Sequence, residues 1–178
     1  MVNLTGLCRF VALFLLLALT LGGCGSGSGT TSSNRTTKAK TSVKTSGLVQ
    51  PGFLVGALEV VISIPYGVTV ELDPVTNEPS RNVVTLVGTA APSMTMNALT
   101  YVAATPAAKG SLKIIYLNAA GFAPADSISV QLDIATGFFP TAGDFSLTKF
   151  EIVTMTADGS TVNSPAPVQN PAFTVEVI

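Results

Sequence analysis

Carboxylates, thiols, amines and hydroxyls are the groups of this chain that could do chemistry, because histidine is absent from its 178 residues. Without an imidazole, Ser-His-Asp and Cys-His nucleophilic systems and histidine metal sites are excluded. The ten carboxylates lie between Glu59 and Glu176, and no sequence pattern sets two of them across a cleft, as a glycosidase requires. The GxSxG, CxxC, HExxH and GxxxxGK motifs do not occur. We therefore predict that the chain is no enzyme and holds no cofactor.

Metal and nucleic-acid binding are not predicted either. Asp126, Asp144 and Asp158 fall in predicted loops, but they lack the alternating Asp/Asn spacing of a calcium loop, and turn chemistry accounts for them. Nine basic residues stand against ten acidic ones, which leaves no basic footprint for nucleic acid.

The N-terminus carries a targeting signal. Residues 10–21 read FVALFLLLALTL, which is too short to span a bilayer and has the length of the apolar region of a secretory signal. The following Leu21-Gly22-Gly23-Cys24 resembles the lipobox of bacterial lipoproteins. The resemblance implies diacylglyceryl transfer to Cys24, cleavage that removes residues 1–23, and acylation, for instance by palmitate, of the new amino terminus. An ordinary signal peptide is the alternative.

Lipidation implies that the protein is exported and anchored to the bacterial cell membrane, because two or more acyl chains give a stable anchor. Gly25, rather than an aspartate, follows Cys24, which resembles the outer-membrane sorting pattern in a cell with two membranes. The only other cysteine, Cys8, lies in the segment to be removed. The folded part is therefore predicted to have no disulfide.

Residues 24–47 are predicted to be a disordered tether. Residues 25–46 read GSGSGTTSSNRTTKAKTSVKTS, without an aromatic or acidic residue, and such a composition buries too little apolar surface to fold. As a flexible chain, 22 residues would reach about 25 Å. The four cations of this segment would either remain solvated or contact anionic lipid.

Residues 48–178 are predicted to form an all-β sandwich, of the jelly-roll or immunoglobulin-like kind, with eight or nine strands. Apolar and polar residues alternate in short runs, most clearly where Ile128, Val130, Leu132 and Ile134 alternate with polar residues. A change of parity predicts a β-bulge near Thr148-Lys149, and Asp158-Gly159 predicts a hairpin turn. We also expect one helical turn within Ser93–Leu99.

The second half of this domain resembles a cohesin domain. Residues 110–122 read GSLKIIYLNAAGF, followed by ISVQLDI at 128–134, DFS at 144–146 and FEIVTMTADGSTV at 150–162. The first half is a looser match, and its corner at Pro65–Val68 lacks the aspartate of the family pattern. The resemblance implies a sandwich of the cohesin and carbohydrate-binding-module superfamily.

Three functions remain open. A protein partner, dockerin-like or another envelope protein, would bind a face formed by strands Leu112–Leu117 and Ile128–Ile134, with outward residues Lys113, Ser129, Gln131 and Asp133. Alternatively, the domain binds polysaccharide through exposed aromatic residues, for which Tyr66 and Tyr101, with Phe138 or Phe139, are the candidates. The third possibility is a structural envelope component that associates through an edge strand such as Phe173–Ile178.

Overall fold

A computed structural model describes residues 37–47, 49, 52–88, 94–156, 161–162 and 171–178. The chain divides into two units, Met1–Asn34 and Arg35–Ile178, and every described residue belongs to the second. Within the described part, no helix has the length and apolar character that crossing a membrane requires.

Strands dominate the described part, as the short alternating runs predict. Two single 3-10 turns, Arg81–Val83 and Ala142–Asp144, interrupt them. The strands are β1 Thr37–Lys44, β2 Phe53–Ile64, β3 Val68–Thr69, β4 Val84–Val87, β5 Met96–Val102, β6 Gly110–Phe122, β7 Ser127–Ile134, β8 Ser146–Thr156, β9 Thr161–Val162 and β10 Phe173–Val177.

Two five-stranded sheets make up the fold. Sheet A has the order β10-β1-β7-β3, with β4 also paired to β7, and sheet B has the order β5-β6-β2-β8-β9. All strand pairs are antiparallel. Six connections join strands of different sheets, namely β1 to β2, β2 to β3, β4 to β5, β6 to β7, β7 to β8 and β9 to β10. The predicted all-β sandwich is confirmed.

The core lies between the sheets and follows the period of two. In β7 the four predicted inward residues are buried, and β6 contributes Tyr116 in the same way. The full burial of Tyr116 raises the pKa of its phenol to about 12. The largest fully buried aliphatic side chains come from both sheets: Leu58, Ile62, Ile64, Leu112, Ile114, Ile128, Leu132 and Ile134.

The predicted tether is wrong over its second part. Thr37–Lys44 is the strand β1, which lies between β10 and β7 in sheet A. Ala39, Thr41 and Val43 alternate with lysines and serine, and all three are buried. A segment poor in apolar residues is ordered here because partner strands satisfy its backbone on both sides. The domain therefore begins before residue 48, and residues 24–36 of the predicted tether lie outside the described residues.

Register shifts at three places reconcile the sequence parity with the sheets. The predicted bulge is confirmed, because Lys149 pairs with Val61 and Leu147 with Ile62, which leaves Thr148 as the extra residue. The Thr148 hydroxyl donates to the Val61 carbonyl at 3.1 Å. Two further register shifts, which the sequence did not predict, lie at Gly56, between Val55 and Ala57, and at Asn97, between Met96 and Ala98.

The predicted helical turn is wrong, and the predicted hairpin is only partly described. Met96–Val102 is the strand β5, which forms the edge of sheet B by pairing with β6, so tertiary pairing outweighs the local turn signal. The predicted turn at Asp158-Gly159 lies outside the described residues. The strands on either side of it, β8 and β9, pair antiparallel with Thr154 opposite Val162.

Candidate functional site

The outer face of sheet A is polar. Ser129 is buried, and its hydroxyl lies 2.8 Å from that of Ser42 on the neighbouring β1. Asp133 forms an ion pair with Lys38 at 3.0 Å, and this hydrogen-bonded carboxylate raises the pKa of Lys38. Gln131 lies between them on β7 and is exposed. The predicted binding residues of β7 are thus divided between two that are paired within the sheet and one that faces solvent.

The outer face of sheet B carries an ion-pair cluster centred on Glu59. Its carboxylate oxygens lie 3.1 Å from the ammonium of Lys113 and 3.0 Å from that of Lys149, and Lys149 also contacts Glu151 at 3.0 Å. Glu59 and Glu151 are direct cross-strand neighbours, a like-charge arrangement that destabilises a sheet unless it is bridged. Lys149 bridges them, and hydrogen bonds from Lys149 and Lys113 lower the pKa of Glu59.

An apolar row lies beside this cluster on the same face. Ala57 on β2 stands between Leu117 on β6 and Val153 on β8. The Leu117 side chain is 50% exposed and that of Val153 is 48% exposed. Together with Ile115, Glu59 and Glu151 they line a shallow depression. Apolar groups with a charged border form a surface suited to a protein partner, because interface centres are depleted of charge and their rims are polar.

The structure does not bring the predicted binding residues onto one face. Lys113 lies on β6 in sheet B, whereas Ser129, Gln131 and Asp133 lie on β7 in sheet A. Both strands point their polar residues outward, as predicted, but the crossover Ala123–Asp126 puts them on opposite sides of the sandwich. The predicted single face is therefore wrong, and Lys113 belongs with Glu59 and Lys149 instead.

Tyr66 lies in an exposed aromatic pair at one end of the sandwich. It follows β2, is 48% exposed, and meets Phe138 edge-to-face with ring centroids 5.2 Å apart and planes at 90°. Phe138 and Phe139 come from the turn after β7 and are 36% and 90% exposed. The edge-to-face arrangement is a favourable geometry for an aromatic pair, and it leaves the two rings without a common plane.

Tyr101 does not join this exposed pair. Its ring packs against the core from β5, and its hydroxyl donates to the backbone carbonyl of Val68 at 3.4 Å. This contact links the edge of sheet B to sheet A, and burial raises the pKa of the phenol. The prediction that Tyr101 is exposed for sugar binding is therefore wrong, because the residue closes the sandwich edge.

Several carboxylates of the described part are engaged by neighbouring groups. Glu59 and Asp133 are ion-paired, and Asp144 accepts hydrogen bonds from the backbone and the hydroxyl of Thr141 at 2.7 and 2.9 Å. Asp73 likewise accepts from two backbone amides of its turn. The contacts of Asp144 agree with its interpretation as a turn residue, whereas Asp126 is held only through its backbone and Asp158 lies outside the described residues. Among the described residues, no three acidic or thiol side chains form a group that could hold a metal ion.

Sequence reasoning missed most of the sheet B face. Lys113 was the only member predicted, although Ile115 and Leu117 share its outward parity and are apolar where a solvated strand would be polar. Glu59, Glu151 and Val153 could be assigned to an outer face by alternation, but not to the same face as Lys113. The predicted lipidation site Cys24 lies outside the described residues.

Comparisons with protein-family models, with curated proteins and with solved structures find no match to this chain.

Proposed function

We propose that this chain is a lipid-anchored, non-catalytic envelope protein that binds a protein partner through the outer face of sheet B. The observation that carries the proposal is the exposure of Leu117 and Val153 beside the Glu59 ion-pair cluster. The resemblance to cohesin domains supports a protein partner, dockerin-like or another envelope protein. The lipobox resemblance at Leu21–Cys24 supports the anchor.

The size of the face supports this proposal. Four strands at about 4.8 Å spacing are about 19 Å wide, and strands of about ten residues are about 33 Å long, which gives roughly 600 Å². A specific interface buries at least about 1,200 Å² in total, or about 600 Å² on each partner. The outer face of β5, β6, β2 and β8 therefore has the area that such an interface needs.

The contrast between the two outer faces supports the choice of sheet B. On sheet A, polar neighbours face each other, with Ser42 against Ser129 and Lys38 against Asp133. A partner covering that face would have to compete with contacts that are already satisfied and gain little apolar burial. On sheet B, covering Leu117 and Val153 removes apolar surface from water at the centre of the face.

Binding measurements on charged variants of the two faces test the proposal. A partner identified from the envelope should bind Leu117→Asp and Val153→Asp at least about tenfold more weakly, because each change buries a charge at the centre of the interface. The matched control is Gln131→Asp, which adds the same charge at an exposed position of sheet A. Equal weakening by Gln131→Asp, or unchanged binding by both sheet B variants, would contradict the proposal.

Metabolic labelling with a fatty-acid analogue tests the anchor separately. The wild type and Cys8→Ser should carry the label, whereas Cys24→Ser should not, because the thiol of Cys24 is the proposed acceptor. Label retained by Cys24→Ser would refute the anchor without touching the binding face.

A further inference from the structure

One end of the sandwich exposes aromatic side chains; we call it the aromatic end and define it by Tyr66, Phe138 and Phe139. Phe139 is 90% exposed, more than any other aromatic side chain in the described part of the chain, and Val102, at the end of β5, adds an apolar side chain that is 59% exposed. Large exposed apolar groups that lie together mark a contact surface.

Local backbone contacts hold these rings outward. The Ala135 amide donates to the Gly67 carbonyl at 2.9 Å, and the Phe138 amide donates to the Ala135 carbonyl at 3.1 Å. Gly67 has φ +83°, and a Cβ at that position would lie 2.2 Å from the Phe138 ring. The turn after β2 and the turn after β7 therefore fit together through a glycine, and Phe138 is fixed over it.

The chain enters the domain at this same end. Thr37, the first residue of β1, pairs with Ile134, the last residue of β7, and the aromatic turn follows directly after Ile134. Twelve residues separate Cys24 from Thr37. Whatever their conformation, the thirteen peptide steps span at most about 45 Å. A lipid attached at Cys24 therefore limits Thr37, at the aromatic end, to at most about 45 Å from the lipid surface.

Several charged side chains at the aromatic end are engaged by neighbouring groups, and Glu71 lies near Lys38. The Lys109 ammonium donates to the backbone carbonyl of Asp144, and Thr141 satisfies the Asp144 carboxylate. Lys38 neutralises Asp133 at the end of β7. The remaining exposed positions of the loop after β5 are mostly small and apolar, namely Ala103, Pro106, Ala107 and Ala108.

We propose that the aromatic end docks on the lipid surface that carries the Cys24 anchor, with Phe139 entering the acyl boundary and Tyr66 lying at headgroup level. Tyrosine favours this interface because its ring is apolar and its hydroxyl is polar, and phenylalanine contributes apolar area. The inference rests on the proposed anchor. Docked this way, the strands stand upright, and the outer face of sheet B remains open to a partner from the side.

Tryptophan fluorescence tests this orientation, because the chain contains no tryptophan. Phe139→Trp places a single reporter at the aromatic end. Val87→Trp is the control, because Val87 is 48% exposed and pairs with Ser127, at the opposite end of β7. Each variant is produced as the lipidated protein and reconstituted in vesicles of phosphatidylethanolamine and phosphatidylglycerol, with or without brominated acyl chains.

The inference predicts a blue-shifted Phe139→Trp emission that brominated lipid quenches at least about twofold, because the ring enters the acyl region, with Val87→Trp unaffected. Equal quenching of both variants, or of neither, in protein that carries the lipid would overturn the orientation and leave the anchor standing. Protein without lipid at Cys24 would overturn the anchor and the inference together. A shift induced by soluble polysaccharide and not by vesicles would overturn it in favour of sugar binding.

Discussion

Thr41 places an unpaired hydroxyl in the core. Its side chain is fully buried between the sheets, and its oxygen has no hydrogen-bond partner in the described part of the chain. A buried polar group without a partner costs about 1–3 kcal/mol of desolvation. Thr45, four residues along, is also fully buried, but its hydroxyl donates to the Ala125 carbonyl. The hydroxyl of Thr41 therefore destabilises the folded domain, whereas the hydroxyl of Thr45 stabilises it.

Replacing Thr41 with valine should stabilise the domain by about 1 kcal/mol, because the shape is kept and the unpaired hydroxyl is removed. Urea unfolding of wild type, Thr41→Val and the control Thr45→Val measures the effect. Thr45→Val should destabilise by about 1–2 kcal/mol, since it leaves the Ala125 carbonyl without its partner. Destabilisation by Thr41→Val would show that its hydroxyl is paired.

Glu59 makes the stability of sheet B depend on pH. Two lysines lower the folded-state pKa of Glu59 below its ordinary value of 4.5, so the ionised form contributes stability above that pH. This contribution is lost as the pH falls through the lowered pKa. Glu59→Gln should therefore melt at a lower temperature than wild type at pH 7, and the difference should shrink below pH 4.5. A difference that persists in acid would show that the effect of Glu59 is not electrostatic.

At the scale of elements, alternation predicts which side of a strand is buried but not which sheet the strand joins. Ile128–Ile134 and the bulge at Thr148 follow from parity, because the buried face dictates the pattern. Lys113 and Gln131 both point outward as predicted, yet the crossover between β6 and β7 separates them. That separation arises from pairings distant in sequence, which a single sequence does not encode locally.

Strand β1 shows why an average over composition misleads. Residues 25–46 look uniformly polar, but Ala39, Thr41 and Val43 alternate within them, and two partner strands bury all three. Small side chains suffice in β1 because most of the stabilisation of this strand comes from its backbone hydrogen bonds and from packing against the two neighbouring strands. The alternation of a strand is present in the sequence of β1, but the polar composition of the longer segment led to the prediction of a tether.

Because the two turns at the aromatic end pack together at Gly67, we expect Gly67→Ala to destabilise the domain more than Gly137→Ala does. Gly67→Ala and Gly137→Ala both place a side chain at positive φ, +83° and +88°, which costs about 1–2 kcal/mol each. Only at Gly67 would the new Cβ collide with Phe138, since nothing lies within 4 Å at Gly137. Thermal unfolding should therefore show the larger loss for Gly67→Ala. Equal losses would contradict the packing of Phe138 on this turn.

At the scale of the whole molecule, the position of β1 within sheet A determines which fragments of the chain can fold. The fragment 35–178 contains every strand of sheet A, whereas 48–178 lacks the strand between β10 and β7. The first should unfold cooperatively, with a strand-rich circular dichroism spectrum that is insensitive to reductant because it has no cysteine. The second should show no cooperative transition. A cooperative melt of 48–178 equal to that of 35–178 would contradict the assignment of β1 to the sandwich.

In the function that we propose, the anchor, the upright domain and the sheet B face would present one side of the sandwich to partners at a lipid surface. The fold class was predictable from alternation and the anchor remains a prediction from the lipobox. The proposed binding face was only partly predictable from the sequence, because its residues come together only when β5, β6, β2 and β8 pair side by side.

Site-specific photo-crosslinking in the cell envelope tests the binding face most directly. A photoreactive amino acid replaces Leu117 or Val153 on sheet B, or Gln131 on sheet A, in the full-length protein. We predict that Leu117 and Val153 crosslink to the same protein partner, because both lie at the centre of the proposed interface, and that Gln131 does not. Crosslinks to a discrete partner from Gln131, with none from Leu117 and Val153, would contradict the account.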